Sequence, residues 1–317
     1  MNILVTGADG FIGRALVARL ASTEVLAGFN TNERQLVLLD QRSGESSPRP
    51  RIRTVTGNLT DAAALAEVFA AGIDCIFHLA SVPGGASEAN IELGLDVNLD
   101  GTVALLEAAR KQGRKPRFIF ASTIGVYGVP MPAVIDEDTL PEPSLSYGAQ
   151  KWIGEILISD YSRRDWIDGR SLRLPGIVAR PPAASGMMSA FLSDLIRKLS
   201  AGESFTCPVA ASGKSWWMSR VQVVENLLHA AALSPELARS RGAWLLPVQH
   251  ASISEVVDAI GRVRSKDVRG LVSYAPNAAL QAQFANYPPL NCPKSVAAGF
   301  CHDGSLEQLV QRALAGP

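Results

Sequence analysis

The 317-residue sequence predicts an α/β fold, a doubly wound parallel sheet followed by a smaller C-terminal lobe that binds substrate. Two observations predict it. A short apolar run, a glycine-rich turn and an amphipathic helix open the chain, and strand-like runs then alternate with helical patterns as far as Arg173. Such alternation gives parallel strands covered by helices on both faces, with ligands gathering at the carboxyl edge.

Residues 1–6, Met-Asn-Ile-Leu-Val-Thr, read as the first strand, and 14–20 as the first helix. Between them stand Gly7, Gly10 and Gly13, spaced G-x-x-G-x-x-G. Gly7 suits a tight turn, Gly10 leaves room for a pyrophosphate, and Gly13 lets the helix pack close to the sheet. The anion then rests on free N–H groups at the helix start. A second apolar run ends at Asp40, after a loop lengthened by residues 28–33. A carboxylate there accepts from both adenosine ribose hydroxyls and repels a 2′-phosphate, which favours NAD over NADP. Arg42, two residues on, softens that preference.

Strands are expected over 52–56, 74–79 and 118–121. The first leads to Asn58 and then to Thr60 or Asp61, either of which can cap a helix over 62–71. The second leads into the loop Ala80-Ser81-Val82-Pro83-Gly84-Gly85 and a long helix over 94–111, the third into Ser122-Thr123. The tract 43–51 is a Ser/Pro/Arg loop.

Next comes Ser146-Tyr147-Gly148-Ala149-Gln150-Lys151. Tyr147 and Lys151, four apart, project from one helix face. A free tyrosine, with a pKa of about 10, is a poor base at neutral pH. An ammonium about 5 Å from the phenol oxygen favours phenolate by about 3 kcal/mol at an effective dielectric of about 20, roughly two pKa units. The pair has the parts of a general base for a hydroxyl group.

Beyond Arg173 the pattern changes. A strand ends at Leu174-Pro175-Gly176, a Pro/Ala loop spans 181–186, and helices are expected over 189–201, 221–233, 253–263 and 305–314. We divide the chain into a nucleotide-binding domain, 1–173, to which 209–250 partly returns, and a substrate lobe of 174–208 and 251–317. Balanced charge, 30 basic against 30 acidic side chains, argues against nucleic acid or an anionic membrane as partner. No apolar stretch is long enough to span a membrane, and the first residues enter a strand rather than a signal peptide. Cys75, Cys207, Cys292 and Cys301 show no metal-binding spacing, so reduced thiols in a cytoplasmic protein without a metal are expected.

These motifs, with His78-Leu79-Ala80, Asn98, Ser122-Thr123 and Val126-Tyr127-Gly128, resemble the extended short-chain dehydrogenase/reductase family over the whole length. The resemblance implies a Rossmann domain. It casts Tyr147 as base, Lys151 as its partner on the nicotinamide ribose, and Thr123 as the hydroxyl that polarises the substrate oxygen, with Ser122 beside it. It also implies cofactor contacts from Gly7, Gly10, Phe11, Ile12, Gly13, Asp40, Asn58, Leu59, Leu79 and Ala80. Asn98 is either cofactor-side or structural, and His78 belongs to the packing.

Family dehydratases resemble one another in an acidic pair after the catalytic Thr, where this chain has Ile124-Gly125. Nucleotide-sugar epimerases carry an Asn where it has Gly176. Both absences favour simple oxidation of a small alcohol. Segments 86–102, 146–181, 216–230 and 288–300 look like a branch that oxidises the C2 hydroxyl of a small sugar acid with NAD. An epimerase, and a non-catalytic dinucleotide-binding regulator, remain the alternatives. Arg180, then Arg220, are the candidate anchors for a carboxylate, with N–H groups of the 81–85 loop in reserve. Apolar residues beyond one stripe, including Leu95, Val97, Leu99, Trp152, Ile153, Ile156 and Leu157, predict a homodimer of paired helices.

Overall fold

The structure is a computed structural model that describes residues 1–22, 34–41, 51–182 and 188–315. The 28–33 loop, Arg42, most of the 43–51 tract and most of the 181–186 loop lie outside the described residues.

Seven parallel strands form the main sheet, in the spatial order Ala243–Leu245, Asp168–Leu174, Arg117–Thr123, Cys75–His78, Asn2–Thr6, Gln35–Asp40, Ile52–Thr56. The chain grows outward from Asn2–Thr6 in one direction, then returns to its other side at Cys75–His78. That reversal opens a crevice at the carboxyl ends of the strands. Strand residues alternate between two cores, as a pleat requires. Ile3 and Val5 pack with the helices Phe11–Ala21 and Arg220–Ala232 on one face, whereas Leu4 packs with Ala62–Phe69 and Gly101–Lys111 on the other. Asp61, rather than Thr60, caps Ala62–Phe69 by accepting from Ala63 and Ala64 N–H.

The long helix differs from expectation. Helical turns begin at Ile91, and Leu95–Asp100 forms a wider π-type turn before Gly101–Lys111. Gly84 and Gly85, expected as the end of a loop, instead open a short helix, Gly84–Ala89. The second sheet joins Gln249–Ser252, Lys214–Ser219 and Gly176–Val178. Helices Ala190–Ala201, Ile253–Arg264 and Leu306–Leu314 share a core with this region. A two-residue strand, Leu290–Asn291, pairs with Ile135–Asp136 and ties the tail to the segment after Tyr127.

Candidate active site

The loops at the carboxyl edge converge on a cavity of about 700 Å³. Its first wall is the glycine-rich turn. Gly7 has φ +66°, and a Cβ there would lie 2.7 Å from Ala80 N, so only glycine fits. A Cβ on Gly13 would lie 2.1 Å from Gly7 O and 2.8 Å from Ala8 O. Gly13 therefore lets the helix close on the turn that follows the first strand. Phe11–Ala21 starts at Gly10 with no side-chain cap and no acidic residue in its first turn, leaving N–H groups for an anion. Asp40 accepts from Asp9 N–H at 2.9 Å and lines the cavity beside the turn. Phe11, Ile12, Asn58, Leu59, Leu79 and Ala80 line the same wall. An uncapped helix start, a glycine cradle and a strand-end carboxylate fit a dinucleotide.

The second wall carries Thr123, Tyr147 and Lys151. Close packing sets their positions. A Cβ on Gly148 would lie 2.1 Å from Gly125 O, so the start of Ser146–Arg163 lies directly on the turn after Thr123. Gly154 packs against the Phe120 ring, which an added Cβ would approach to 2.8 Å. Lys151 is 1% exposed, and its Nζ stands 4.7 Å from the Phe120 ring centroid and 5.9 Å from that of Tyr147. It makes no ion pair or hydrogen bond with the described residues. Burial pushes its pKa down to about 7.

Burial raises the Tyr147 pKa, an effect opposed by the neighbouring Ser81 and Thr123 side chains and by the charge of Arg180. Thr123 Oγ1 also accepts from Gly125 N–H at 3.0 Å.

Other assignments shift. Strand alternation turns Ser122 away from Thr123, and its Oγ donates to Glu155 at 2.5 Å. Glu155 is held by the Arg173 guanidinium at 2.8 Å, which also donates to Tyr127 OH at 2.7 Å. Ser122 lines the cavity, and its hydroxyl serves a buried network behind the site. Asn98 braces the 81–83 loop instead of touching the cavity. Its Oδ1 accepts from Val82 N–H at 2.8 Å, and its Nδ2 donates to Gln150 Oε1 at 2.8 Å. Arg220 does not line the cavity. Its guanidinium stacks over Phe11 at 5.0 Å and donates to Ala315 O at 3.0 Å. Arg180 does line it, 4.9 Å from the Phe11 ring, with a buried Nε that lacks a partner.

His78 is structural, and its tautomer follows from its neighbours. Thr102 Oγ donates to Asn98 O at 2.7 Å, so it can only accept from His78 Nε2–H at 2.9 Å. Nδ1 is then the acceptor for Thr6 Oγ–H at 2.7 Å. Burial and the Lys151 charge keep the ring neutral.

Sequence reasoning missed Glu155, whose signal is its place one further turn along the Tyr147/Lys151 face.

This combination defines a dinucleotide-dependent enzyme. Residues 3–232 match the family described as NAD dependent epimerase/dehydratase, and the chain belongs to that family. It is 37% identical over 314 residues to the D-erythronate dehydrogenase of Cupriavidus necator, covering 98% of this chain and 97% of that one. It is 31% identical to the D-erythronate dehydrogenase of Haemophilus influenzae, covering 98% of each chain. The crystal structure of a nucleoside-diphosphate-sugar epimerase from Agrobacterium tumefaciens is similar with a TM-score of 0.89 at 32% identity, covering 98% of this chain and 92% of that one. Within the family the chain is an NAD-dependent dehydrogenase. No helix among the described residues is long and apolar enough to cross a membrane.

Proposed function

We propose that this protein oxidises the C2 hydroxyl of a small sugar acid, D-erythronate, to 2-dehydro-D-erythronate. The observation that carries the reading is Arg180. It is a cation with no carboxylate partner among the described residues, its Nε is buried, and its charge reaches Tyr147. A 2-hydroxy acid has its carboxylate on the carbon next to the reacting hydroxyl. Such a substrate joins Arg180 to Tyr147 through adjacent carbons. Bound NAD supplies the hydride acceptor. Tyr147 takes the hydroxyl proton as the C2 hydride leaves with its electron pair, while Thr123 donates to the substrate oxygen. Lys151, unpaired and buried, holds the nicotinamide ribose through its hydroxyls. The names of the two relatives at 37% and 31% identity agree with this substrate.

Losing a charge-assisted contact costs about 1.5–3 kcal/mol. Arg180→Ala should therefore raise KM for D-erythronate by roughly tenfold or more, with little change toward the uncharged tetritol. An unchanged KM for the acid would move the anchor elsewhere.

A second reading, an NAD-dependent nucleotide-sugar epimerase, draws on the Agrobacterium relative. Gly176 speaks against it. A Cβ there would lie 2.8 Å from Trp216 O, so the Asn carried by such epimerases has no room at this position. We further propose that 174–208 and 251–317 form the substrate lobe, and that the protein works as a homodimer.

A further inference from the structure

Arg180 and Arg220, the two candidate carboxylate anchors, converge on one ring. Their guanidinium carbons stand 4.9 and 5.0 Å from the centroid of Phe11. Of the two, only Arg180 lines the cavity. Arg220 has a second tie, donating to Ala315 O at 3.0 Å. It opens the helix Arg220–Ala232, which shares a core with Phe11–Ala21, and Arg19 joins the two helices by donating to Glu225 at 2.8 Å. Phe11 packs against that same core. The ring is therefore held by apolar packing and by an arginine that is itself held.

Arg180 has no comparable tie. It follows Ala179, whose φ of +59° lies in the left-handed region that residues with a side chain rarely adopt, so the chain turns sharply just past Gly176–Val178. Among the described residues no hydrogen bond or ion pair holds its guanidinium, and its Nε is buried without a partner. A long side chain left so free must surrender rotamer freedom when it grips a carboxylate. A carboxylate neighbour would fix it, but would also occupy the donors that an acidic substrate needs. A phenyl ring attracts the cation through its π face and offers no competing carboxylate.

We propose that Phe11 is a positioning residue for substrate recognition, its ring setting the Arg180 guanidinium in place for the substrate carboxylate. The inference rests on the reading of Arg180 as the carboxylate anchor. One residue then serves both ends of the cavity. Its backbone belongs to the helix start that receives the dinucleotide, and its side chain supports the group that receives the acid.

The test is kcat/KM for D-erythronate and for the uncharged tetritol at saturating NAD. The proteins compared are the parent, Phe11→Leu, Phe11→Tyr, Arg180→Ala and the Phe11→Leu/Arg180→Ala double variant. Phe11 also lines the cofactor wall, so effects that act through NAD fall on both substrates, and the quantity read is the acid-to-tetritol ratio. Taking the ring from a partly desolvated cation should lower that ratio about 3-fold to 30-fold, mainly through a higher KM for the acid. Phe11→Tyr, which keeps a ring, should restore it. In the Arg180→Ala background Phe11→Leu should lower the ratio no further, since the group it positions is gone. If Phe11→Leu fails to fold, Phe11→Met makes the same comparison with a more adaptable apolar side chain. An unmoved ratio in the ringless variant, or an equal further loss in the Arg180→Ala background, would show a merely structural Phe11 and overturn the proposal. An unmoved ratio in Arg180→Ala would instead overturn the anchor itself, whatever Phe11 does.

Discussion

Lys151 lies among Phe120, Tyr147 and His78, with no carboxylate of the described residues paired to it. Its folded pKa of about 7 stands below the ordinary 10.5, so the unfolded chain binds more protons between those values. Stability of the NAD-free protein should therefore rise with pH across that window, and the full penalty applies below it. The shift corresponds to about 5 kcal/mol at most. Lys151→Met should be more stable than the parent near neutral pH, with the advantage vanishing toward pH 10.5. Denaturant unfolding of both proteins across this range checks it, and a flat parent profile would refute the assignment. Asp40 makes a second prediction at this scale. Asp40→Ser should weaken NAD and relatively improve NADP in side-by-side kinetics. A parent that already preferred NADP would refute the role given to Asp40. Tyr147, Lys151, Thr123 and Asp40 were legible because each stands at a fixed offset from a strand end or a helix turn. The Ser122 side chain was read toward the substrate, but adjacent residues on a strand face opposite ways; of the two readings of Asn98, its hydrogen bonds from a π-type turn support the structural one.

Elements with a clear apolar signature were read within a few residues, as with Cys75–His78 and Ile253–Arg264. Strands buried on both faces need continuous apolar runs, which a sequence displays openly. The second sheet was not legible, because Gly176–Val178 is three residues long and Trp216-Trp217 face different cores. The helices Gly84–Ala89, Pro235–Arg239 and Pro293–Ala297 are too short to carry a period. The paired-helix surface was read in part. Val97 is buried within its own chain, and Trp152 and Leu157 pack on internal cores. Leu95, Ile153 and Ile156 are exposed as expected, and Ile91 and Val103, four and eight residues from Leu95, join them. An apolar stripe of this kind calls for a second copy. Light scattering at micromolar concentration should give a dimer, and Ile156→Asp should shift it toward monomer. A monomeric parent would refute the homodimer.

At the scale of the molecule, one crevice joins the two halves of the argument. The reversal of strand order fixes where a dinucleotide enters, and Arg180, Leu192, Ser215 and Phe284 close the other end of the same cavity. The parallel sheet and its ligand edge could be read from alternation alone. The small end could not, since Ser215 and Phe284 come from segments with no motif and meet only through tertiary packing. Fold alone leaves dehydrogenase and epimerase chemistry equally open, because both begin with hydride transfer from a carbinol carbon. They differ in where that hydride ends: an epimerase returns it, whereas a dehydrogenase leaves reduced cofactor in solution. The most direct measurement is the absorbance of NADH formed by the purified protein with NAD and D-erythronate, beside parallel reactions with UDP-sugars. The account predicts steady, stoichiometric NADH with the acid and none with the UDP-sugars. No NADH from D-erythronate, with interconversion of a UDP-sugar, would contradict it.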